Sequence, residues 1–424
     1  MLPVPEVVPE PRVVVALQDG FHGATSGSGF SNRALLEVLA ETLPHRTLYV
    51  LPVNSVVDRR WHAEVSGRLE SAGAQVRPIG VSSVGQSTEE RERLCRRVAA
   101  VADQVADGTS QRVLLIALDV ALLGVGQHLR ASNLDMLLVP RSTSALDHPG
   151  DLGAIHWEQT VLRHASANGG QIAAISDHMR THLNRAYGVP DRAMVDLPNG
   201  LLLNDRSATA MTPVPQLPLR ARAGFLLAMG RAVPTKGFED LVRALGILRR
   251  TRVQLPHLVL AATSRSAHPT PHQRQLAELV RGERLDATVL TRFSPDVRSL
   301  LASPALRCVV VPSRSEAFGR IPLEAFAAGS GPVVASRAGG LAQTVLDGVT
   351  GFTAEPNDPT SLAQAIERAL RVTVREREQL LRAGRDLLHE RHDYRLTIRR
   401  YLVRHVPWVL APAGAVSGSM GGPR

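Results

Sequence analysis

The sequence predicts an α/β protein of two consecutive units, each a parallel sheet covered by helices. Three observations carry this expectation. At 424 residues the chain exceeds one ordinary hydrophobic core and is long enough for two. Short apolar runs of strand length alternate with longer amphipathic stretches, the pattern of β-α-β units and parallel sheets. The alternation breaks once, at RSATAMTPVPQLPLRARAG (Arg206–Gly224), a stretch rich in Pro, Ala, Ser and Thr, and then restarts. Residues 1–205 therefore form a first Rossmann-like unit, 206–223 a linker and 224–391 a second Rossmann-like unit.

The elements read in order. RVVVAL is a strand and SNRALLEVLAETL a helix; TLYVLPV is the next strand. STEERERLCRRVAAVADQV is a helix whose Ser87 and Glu90 have capping-box spacing, serine at the cap and glutamate three residues on. VLLIAL, DMLLVP and QIAAIS are further strands, and Ser176 can cap the helix DHMRTHLNRAY. After the linker come strand FLLAMG, helix FEDLVRALGILRR, strands HLVLAAT, ATVLTRF and RCVVVPS, helix IPLEAFAAG and strand PVVAS. The tail, residues 413–424, ends in SGSMGGPR and is expected to be disordered.

Composition narrows the function classes. The net charge is +10, and all but one of the 49 basic residues are arginine. The bland reading is an arginine-rich, GC-biased composition; the sharper one is weak attraction to an anionic membrane face or a polyanion. From Arg371 to Arg404 ten arginines face five acidic residues, interspersed with apolar residues as on an exposed helix face. Aromatics at 4% are too few for base-stacking platforms, so no specific nucleic-acid partner is expected. Cys95 and Cys308 make neither a disulfide framework nor a metal cluster, which suits a reducing, cytoplasmic setting. The start, MLPVPEVVPEP, lacks the basic and apolar regions of a signal peptide. The longest apolar stretch, Val113 to Val125, is interrupted by Asp119 and too short to span a bilayer.

The chemistry starts at the lone lysine, Lys236, in MGRAVPTKGFEDLVRAL. It follows a strand and a Pro-Thr turn and precedes a helix. Ligands of open α/β sheets bind beyond the carboxyl ends of the strands, and a helix N-terminus there favours anions. Arg231 and Lys236 together can clamp a diphosphate. Lysine is a compact point charge where arginine is a planar fork, a reason for this position to resist replacement by arginine. A surviving loop lysine without a role is the bland alternative.

The second stretch is VPSRSEAFGRIPLEAFAAGSGPVVAS (Val311–Ser336). A strand ends at Pro312, Glu316 lies in the following loop, and Phe318-Gly319 opens a helix containing Glu324. A loop glutamate and a helical glutamate eight residues on can both face the crevice above the strand ends. Gly319 allows a phosphate close to the backbone. Two glutamates at this spacing are commonly a solvated helix face; the flanking order of strand, Pro-Ser, Glu, Phe-Gly, Glu-Ala and Ala-x-Gly is more specific.

This arrangement resembles the retaining, GT-B-fold glycosyltransferases of family 4, whose signature Glu-x7-Glu is matched by Glu316 and Glu324. GRAVPTKGFEDLVRAL is similar to the family's Gly-Arg…Lys-Gly segment. AISDHMRTHLNRAYGVPDRAMVDLPNG is similar to its end-of-first-domain segment, with the turn at Pro198, Asn199 and Gly200. AGGLAQTVLDGVTGFTAEPNDPTSLAQAI resembles the tail after the second glutamate. HGATSGSGFSNRALLEVLA stands at the family's N-terminal glycine-rich loop, and HDYRLTIRRYLVRHVPW resembles the last helix, about 392–412, which crosses back onto the first domain. The C-terminal half matches closely and the N-terminal half loosely.

The resemblance implies two Rossmann-like domains facing across a cleft, the first binding the acceptor and the second the nucleotide-sugar. It implies that Glu324 binds the ribose hydroxyls and that Glu316 faces the donor sugar, with the backbone of Ala317, Phe318 and Gly319 around it. Arg231 and Lys236 neutralise the leaving diphosphate, Arg292 and Phe293 contact the base, and Gly27 and Gly29 let the first-domain loop close on the phosphates. Catalysis by loss of a diphosphate from an anomeric carbon depends chiefly on stabilising the charge that builds on it. Cations and helix N-termini supply this; no Asp-x-Asp pair sits in a convincing place, so metal independence is expected. The only co-substrate implied is the nucleotide-sugar, with a UDP-sugar as the expected donor and no cofactor. Retention through front-face attack, the leaving phosphate acting as base, is the mechanism the resemblance implies.

Two departures matter. Where the family often has a histidine near the donor sugar, DMLLVPRSTSALDH places Arg141, and His148 or His156 are the nearby candidates for that role. AAGSGPVV carries one residue more between Gly329 and Pro332 than the common pattern, which lengthens a loop without touching Glu324. The stretch Ser142–Glu158, read as a loop, carries Asp147, Asp151 and Glu158. With Asp147, Arg141 and His156 as acceptor-site candidates it suits a cationic or hydroxyl-rich small molecule. The expected function is transfer of a hexose or amino sugar to such an acceptor, in first place an aminocyclitol or aminoglycoside-antibiotic intermediate, after a weak resemblance of DGFHGATSGSGFSNRALL to actinobacterial aminoglycoside glycosyltransferases. The alternatives are a membrane lipid acceptor such as phosphatidylinositol, a phosphorylase-like enzyme, and a non-catalytic nucleotide-sugar-binding or nucleic-acid-binding protein.

Overall fold

The computed structural model describes residues 11–24, 26–53, 58–80, 87–203, 217–264, 266, 268–292, 294–329 and 331–410. The N-terminal proline-rich stretch to residue 10, most of the linker (206–216), Phe293, Ser330 of the lengthened loop and the tail from 411 lie outside the described residues. The chain divides into two compact units. Unit 1 gathers Met1–Ala174, His182–Leu197 and Arg395–Arg424; unit 2 gathers Ile175–Thr181 and Pro198–Tyr394.

Unit 1 contains β1 (Arg12–Leu17), α1 (Gly27–Thr42), β2 (Leu48–Pro52), α2 (Arg59–Ser71), β3 (Gln75–Val76), α3 (Thr88–Asp107), β4 (Val113–Leu118), β5 (Leu134–Val139), α4 (Ser144–Asp147), α5 (Leu152–Ala167), β6 (Gln171–Ala174), the part of α6 (Asp177–Tyr187) from His182 on, and β7 (Met194–Asp196). Its seven strands are ordered β3-β2-β1-β4-β5-β6-β7, all paired in parallel. β1 and β4 are buried along almost their whole length, as expected of strands covered on both faces. The α3 capping box of Ser87 and Glu90 forms as its spacing predicts.

Unit 2 contains β8 (Phe225–Arg231), α7 (Phe238–Arg250), β9 (His257–Ser264), α8 (Pro271–Gly282), β10 (Ala287–Arg292), β11 (Leu306–Val311), α9 (Arg320–Ala328), β12 (Val333–Ser336), α10 (Leu341–Thr344), β13 (Phe352–Ala354), α11 (Pro359–Arg371) and α12 (Val374–Arg391). The parallel order is β10-β9-β8-β11-β12-β13. Its core joins Leu226, Leu260, Cys308 and Val334 of the sheet to Phe238, Leu241 and Leu245 of α7 and Leu362 and Ile366 of α11. Helix α13 (Tyr394–His405) follows; within unit 1 its Arg395 pairs with Glu41 at 2.9 Å and the Tyr401 hydroxyl donates to Gln171 Oε1 at 2.9 Å.

Three local expectations change. Gly27 and Gly29 belong not to a loop but to the first turn of α1, capped by Ser26, whose hydroxyl accepts from the Gly29 N–H. Helix α2 and the short strand β3 were not anticipated. The stretch Ser142–Glu158 is largely helical, with α4 and the first turns of α5. Asp151 is the α5 N-cap, accepting from the Ala154 N–H, so an acidic residue read as ligand-facing is a helix start.

Candidate functional site

In an open parallel sheet the chain reverses its direction of winding at one place, and the loops leaving the two adjacent strands splay apart there into a crevice. In unit 2 that place lies between β8 and β11. Lys236 follows β8 and Glu316 follows β11, so the two residues singled out from sequence flank the same crevice.

Lys236 ends a short 3-10 turn, Pro234–Lys236, and Gly237 then starts α7 with φ of 63°. A Cβ at Gly237 would lie 2.0 Å from the Pro312 carbonyl oxygen, so only glycine lets this turn close on the end of β11. A second clamp comes from Arg314. Its guanidinium donates two bonds to Asp240, at 2.7 and 2.8 Å, and its N–H donates to the Thr235 carbonyl at 2.7 Å. The lysine turn and the glutamate loop are thereby tied together through backbone and side chain.

The loop after β11 is held from its other side. The Ser336 hydroxyl donates to the Ser313 carbonyl, and the Gly340 N–H donates to the Glu316 carbonyl at 3.0 Å. Gly339, with φ of 54°, approaches so closely that a Cβ would sit 1.9 Å from that carbonyl oxygen. With this support the Lys236 Nζ donates to Glu316 Oε2 in an ion pair whose side chains are 17% and 18% exposed. Ser313 Oγ adds a longer contact to the same oxygen at 3.4 Å.

Glu324, on the second turn of α9, takes different partners: Arg298 at 2.9 Å and Arg320, one turn earlier, at 3.4 Å. Burial alone raises a carboxyl pKa, but the two guanidinium groups outweigh it and hold Glu324 below the usual carboxylate range. Arg320 also donates to the Gly200 carbonyl at 3.1 Å, which links Glu324 to the Pro198-Asn199-Gly200 turn. That turn is locked in place: Asn199 bonds to His392 and Tyr394, at 2.9 and 2.8 Å, and Gly200 leaves no room for a side chain beside His392.

The remaining donor-site candidates are placed as follows. Arg231 is the exposed last residue of β8, and Arg292 the exposed last residue of β10. Ala317 and Phe318 are buried, and the Ala317 carbonyl accepts from Ser176 Oγ at 2.8 Å. Ser176 also caps α6, accepting from the Met179 N–H at 3.0 Å. Gly319 has φ of 87° and is the residue before α9. Sequence reasoning missed Arg298, Arg314 and Arg320. The i, i+4 spacing of Arg320 and Glu324 was a readable signal; nothing in the sequence pointed to Arg298.

Unit 1 has its own reversal of winding, between β1 and β4. Asp119, after β4, is buried and left-handed, with φ of 82°. It accepts from Asn32 Nδ2 at 2.9 and 3.0 Å and from the N–H groups of Gln18 and Asp19 at 3.1 and 3.3 Å. Burial raises its pKa. Gly29 is the point where the Asp19 carboxylate meets α1: a Cβ there would be 2.7 Å from the carboxylate oxygens. Gly27 is exposed at the helix start. Arg141 is buried and donates to Asn32 Oδ1 at 2.9 Å, which makes it part of this network.

The other first-unit candidates lie on or beside α4 and α5. His148 is exposed at the end of α4, His156 is exposed on α5, and Asp147 is half-buried in α4. Glu158 is fully buried, accepting from the Ser144 N–H at 3.0 Å and the Tyr187 hydroxyl at 2.7 Å. It holds α4 against α5 and α6 and is out of reach of a ligand.

Residues 214–387 match the family Glycosyl transferases group 1. That segment runs from before β8 into α12 and includes Arg231, Lys236, Glu316 and Glu324. Among curated relatives, a D-inositol 3-phosphate glycosyltransferase of Geodermatophilus obscurus is 34% identical over 56% of this chain and 52% of its own. A GDP-mannose-dependent α-(1-6)-phosphatidylinositol monomannoside mannosyltransferase of Mycolicibacterium smegmatis is 32% identical over 49% of this chain and 55% of its own. The chain spans about half the length of the curated relatives it matches. Among solved structures, the Anabaena protein HepE in complex with UDP has a TM-score of 0.66 at 20% identity, over 92% of this chain and 98% of that one. Two parallel-sheet Rossmann-like domains with this coverage are the GT-B fold of glycosyltransferases.

Proposed function

We propose that unit 2 binds a nucleotide-sugar and that the protein is a retaining glycosyltransferase. The observation that carries the reading is the placement of Lys236 and Glu316 together at the sheet's reversal point, inside the segment that matches Glycosyl transferases group 1. A diphosphate there meets the Lys236 ammonium and the start of α7. Arg231, at the end of the same strand, supplies a second cation. The bond between the anomeric carbon and the diphosphate breaks, its electron pair goes to the phosphate oxygen, and these cations stabilise the charge left behind. The acceptor hydroxyl attacks the same face, and its proton passes to the leaving phosphate. In this reading Glu324, held ionised by two arginines, accepts from the ribose hydroxyls.

UDP is the first nucleotide to test, because HepE is described in complex with UDP. The acceptor we propose is a polyhydroxylated six-membered ring, a class that includes both inositol and the aminocyclitols of antibiotic intermediates. The names of the relatives, which act on inositol phosphate or a phosphatidylinositol mannoside, support the ring. Of the acids of residues 142–158, Glu158 is buried and Asp151 caps a helix, which leaves only Asp147, half-buried in α4, to support an amino group on it.

The test is a thermal-shift panel of UDP, GDP, ADP and dTDP with their common sugars, with and without Mg²⁺, followed by transfer assays with the sugar that binds. A native-state ligand raises the melting point as its concentration exceeds its Kd. Transfer to inositol 1-phosphate or 3-phosphate, to 2-deoxystreptamine, or to phosphatidylinositol vesicles separates the acceptor classes, and the anomer formed reports retention. No shift with any nucleotide, at millimolar concentration, refutes the donor site.

A further inference from the structure

The Lys236–Glu316 contact is unusual for a site whose purpose is to receive an anion: the cation is already occupied by a carboxylate of the same chain. Both partners are held in place from behind. Gly237 and Arg314 fix the lysine turn against the end of β11, and Gly339 and Gly340 press on the backbone of Glu316. A diphosphate reaching Lys236 must therefore displace the Glu316 carboxylate or share the ammonium with it. Resting on the donor-site reading above, we propose that Glu316 is a resident counter-ion. It neutralises Lys236 in the donor-free protein, yields it to the donor diphosphate, and returns to expel the spent nucleoside diphosphate.

The charges make this a discriminating device. When a nucleotide-sugar binds, the displaced carboxylate is left beside a sugar, whose hydroxyl groups donate hydrogen bonds to it. When a bare nucleoside diphosphate binds, the same carboxylate faces a terminal phosphate and has no donor. Two anions then compete for one ammonium, at a part-buried position where screening by water is reduced. Glu316 therefore favours the sugar-bearing form over the bare form. After transfer the sugar departs with the acceptor, the diphosphate loses to water the proton it took from the acceptor hydroxyl and so carries one more negative charge than it did in the donor, and the carboxylate regains its claim on Lys236. The pair thus promotes release of the product that shares most of the donor's contacts, a step that sets the turnover of many enzymes.

The experiment compares binding of UDP and UDP-glucose (GDP and GDP-mannose if the panel selects guanosine) by titration calorimetry. The proteins are the full chain and its Glu316→Gln and Glu316→Ala variants; alanine removes the residual acceptor that glutamine retains. Glu367→Gln is the charge control, because Glu367 lies on α11 and pairs with Arg371, apart from the lysine turn, the start of α7 and the glutamate loop. The expected result is that both Glu316 variants bind the bare diphosphate about fivefold more tightly or better, within the range of intersite couplings. The sugar nucleotide gains less or loses affinity, and Glu367→Gln changes neither by more than about twofold. Stopped-flow release of the diphosphate slows in the same variants. An unchanged or weakened affinity for the bare diphosphate in both variants overturns the proposal while leaving the donor site standing. An equal gain in Glu367→Gln overturns it by showing general electrostatics. A wild-type protein that binds no nucleoside diphosphate overturns the donor-site reading itself.

Discussion

Replacing Gly237 by alanine tests whether the lysine turn is built as described. The residue sits at φ of 63°, in the left-handed region, where an L-residue with a side chain costs about 1–2 kcal/mol. The new Cβ would also lie 2.0 Å from the Pro312 carbonyl oxygen. A backbone carbonyl cannot swing aside as a side chain can, and overpacking of this kind costs about 1–3 kcal/mol. Together these give a loss of about 2–5 kcal/mol, or on the order of 4–20 °C in melting temperature for a unit of this size. The three tryptophans, Trp61, Trp157 and Trp408, all lie in unit 1, so their fluorescence does not report the event; calorimetry or far-UV circular dichroism does. Gly282→Ala is the control. It stands at the end of α8 with nothing within 4 Å of an added Cβ, and is expected to change stability by less than about 1 kcal/mol, in the stabilising direction. Below its lowered melting point, Gly237→Ala should also show a smaller UDP-induced shift than wild type, because Lys236 moves with the turn. A loss below about 1 kcal/mol, or an undiminished UDP shift, refutes the reasoning.

The other expectations are shorter. Lys236→Arg keeps the charge but adds a planar fork that prefers to lie bidentate on Glu316, so kcat/KM for the donor should fall about tenfold; an unchanged value removes the explanation for the single lysine. Glu324→Ala should raise the donor KM about tenfold and leave the acceptor KM within about twofold, and an equal rise in both contradicts a ribose contact. His22 titrates well below the ordinary histidine value, at about 4, through burial first and repulsion from His62 second. The unfolded chain therefore binds the extra proton between about pH 6.5 and 4, and unit 1 should lose stability as pH falls through that window. Replacing His22 by leucine should flatten part of that loss, read by the fluorescence of neighbouring Trp61 in urea; an unchanged slope excludes His22 as a contributor.

The fold was legible because parallel strands covered on both faces are short apolar runs, and the helices between them carry their own start signals. Ser87 with Glu90 and Ser176 announced two of them correctly. What the sequence concealed is of two kinds. Helix α2 holds only Val65 and Leu69 fully buried, so its apolar stripe is too thin to read, and α5 begins with the exposed Leu152 behind an aspartate cap that resembles a loop acid. Long-range ion pairs leave no local trace. Glu316 meets a lysine 80 residues earlier because both follow strands adjacent in the sheet, and Glu324 meets Arg298 across a separate turn. The donor-site candidates were singled out by their flanking pattern; their partners required the fold.

Those partners bear on what the net charge of +10 accomplishes. A strongly basic chain attracts anions everywhere, which by itself cannot select a diphosphate at one crevice. Around that crevice much of the positive charge is already matched: Lys236 by Glu316, Arg298 and Arg320 by Glu324, Arg314 by Asp240. Selectivity must then come from which of these pairs a ligand can exchange. Arg314 is bound bidentate to Asp240, which is almost fully buried, and is costly to dislodge. The Lys236 pair is a single contact between a flexible ammonium and a loop carboxylate, and is the easier to exchange. A lysine suits an exchangeable pair as an arginine suits a permanent one. In a chain that uses arginine for every other cation, the one lysine stands, on the proposal above, where a charge is given up and taken back.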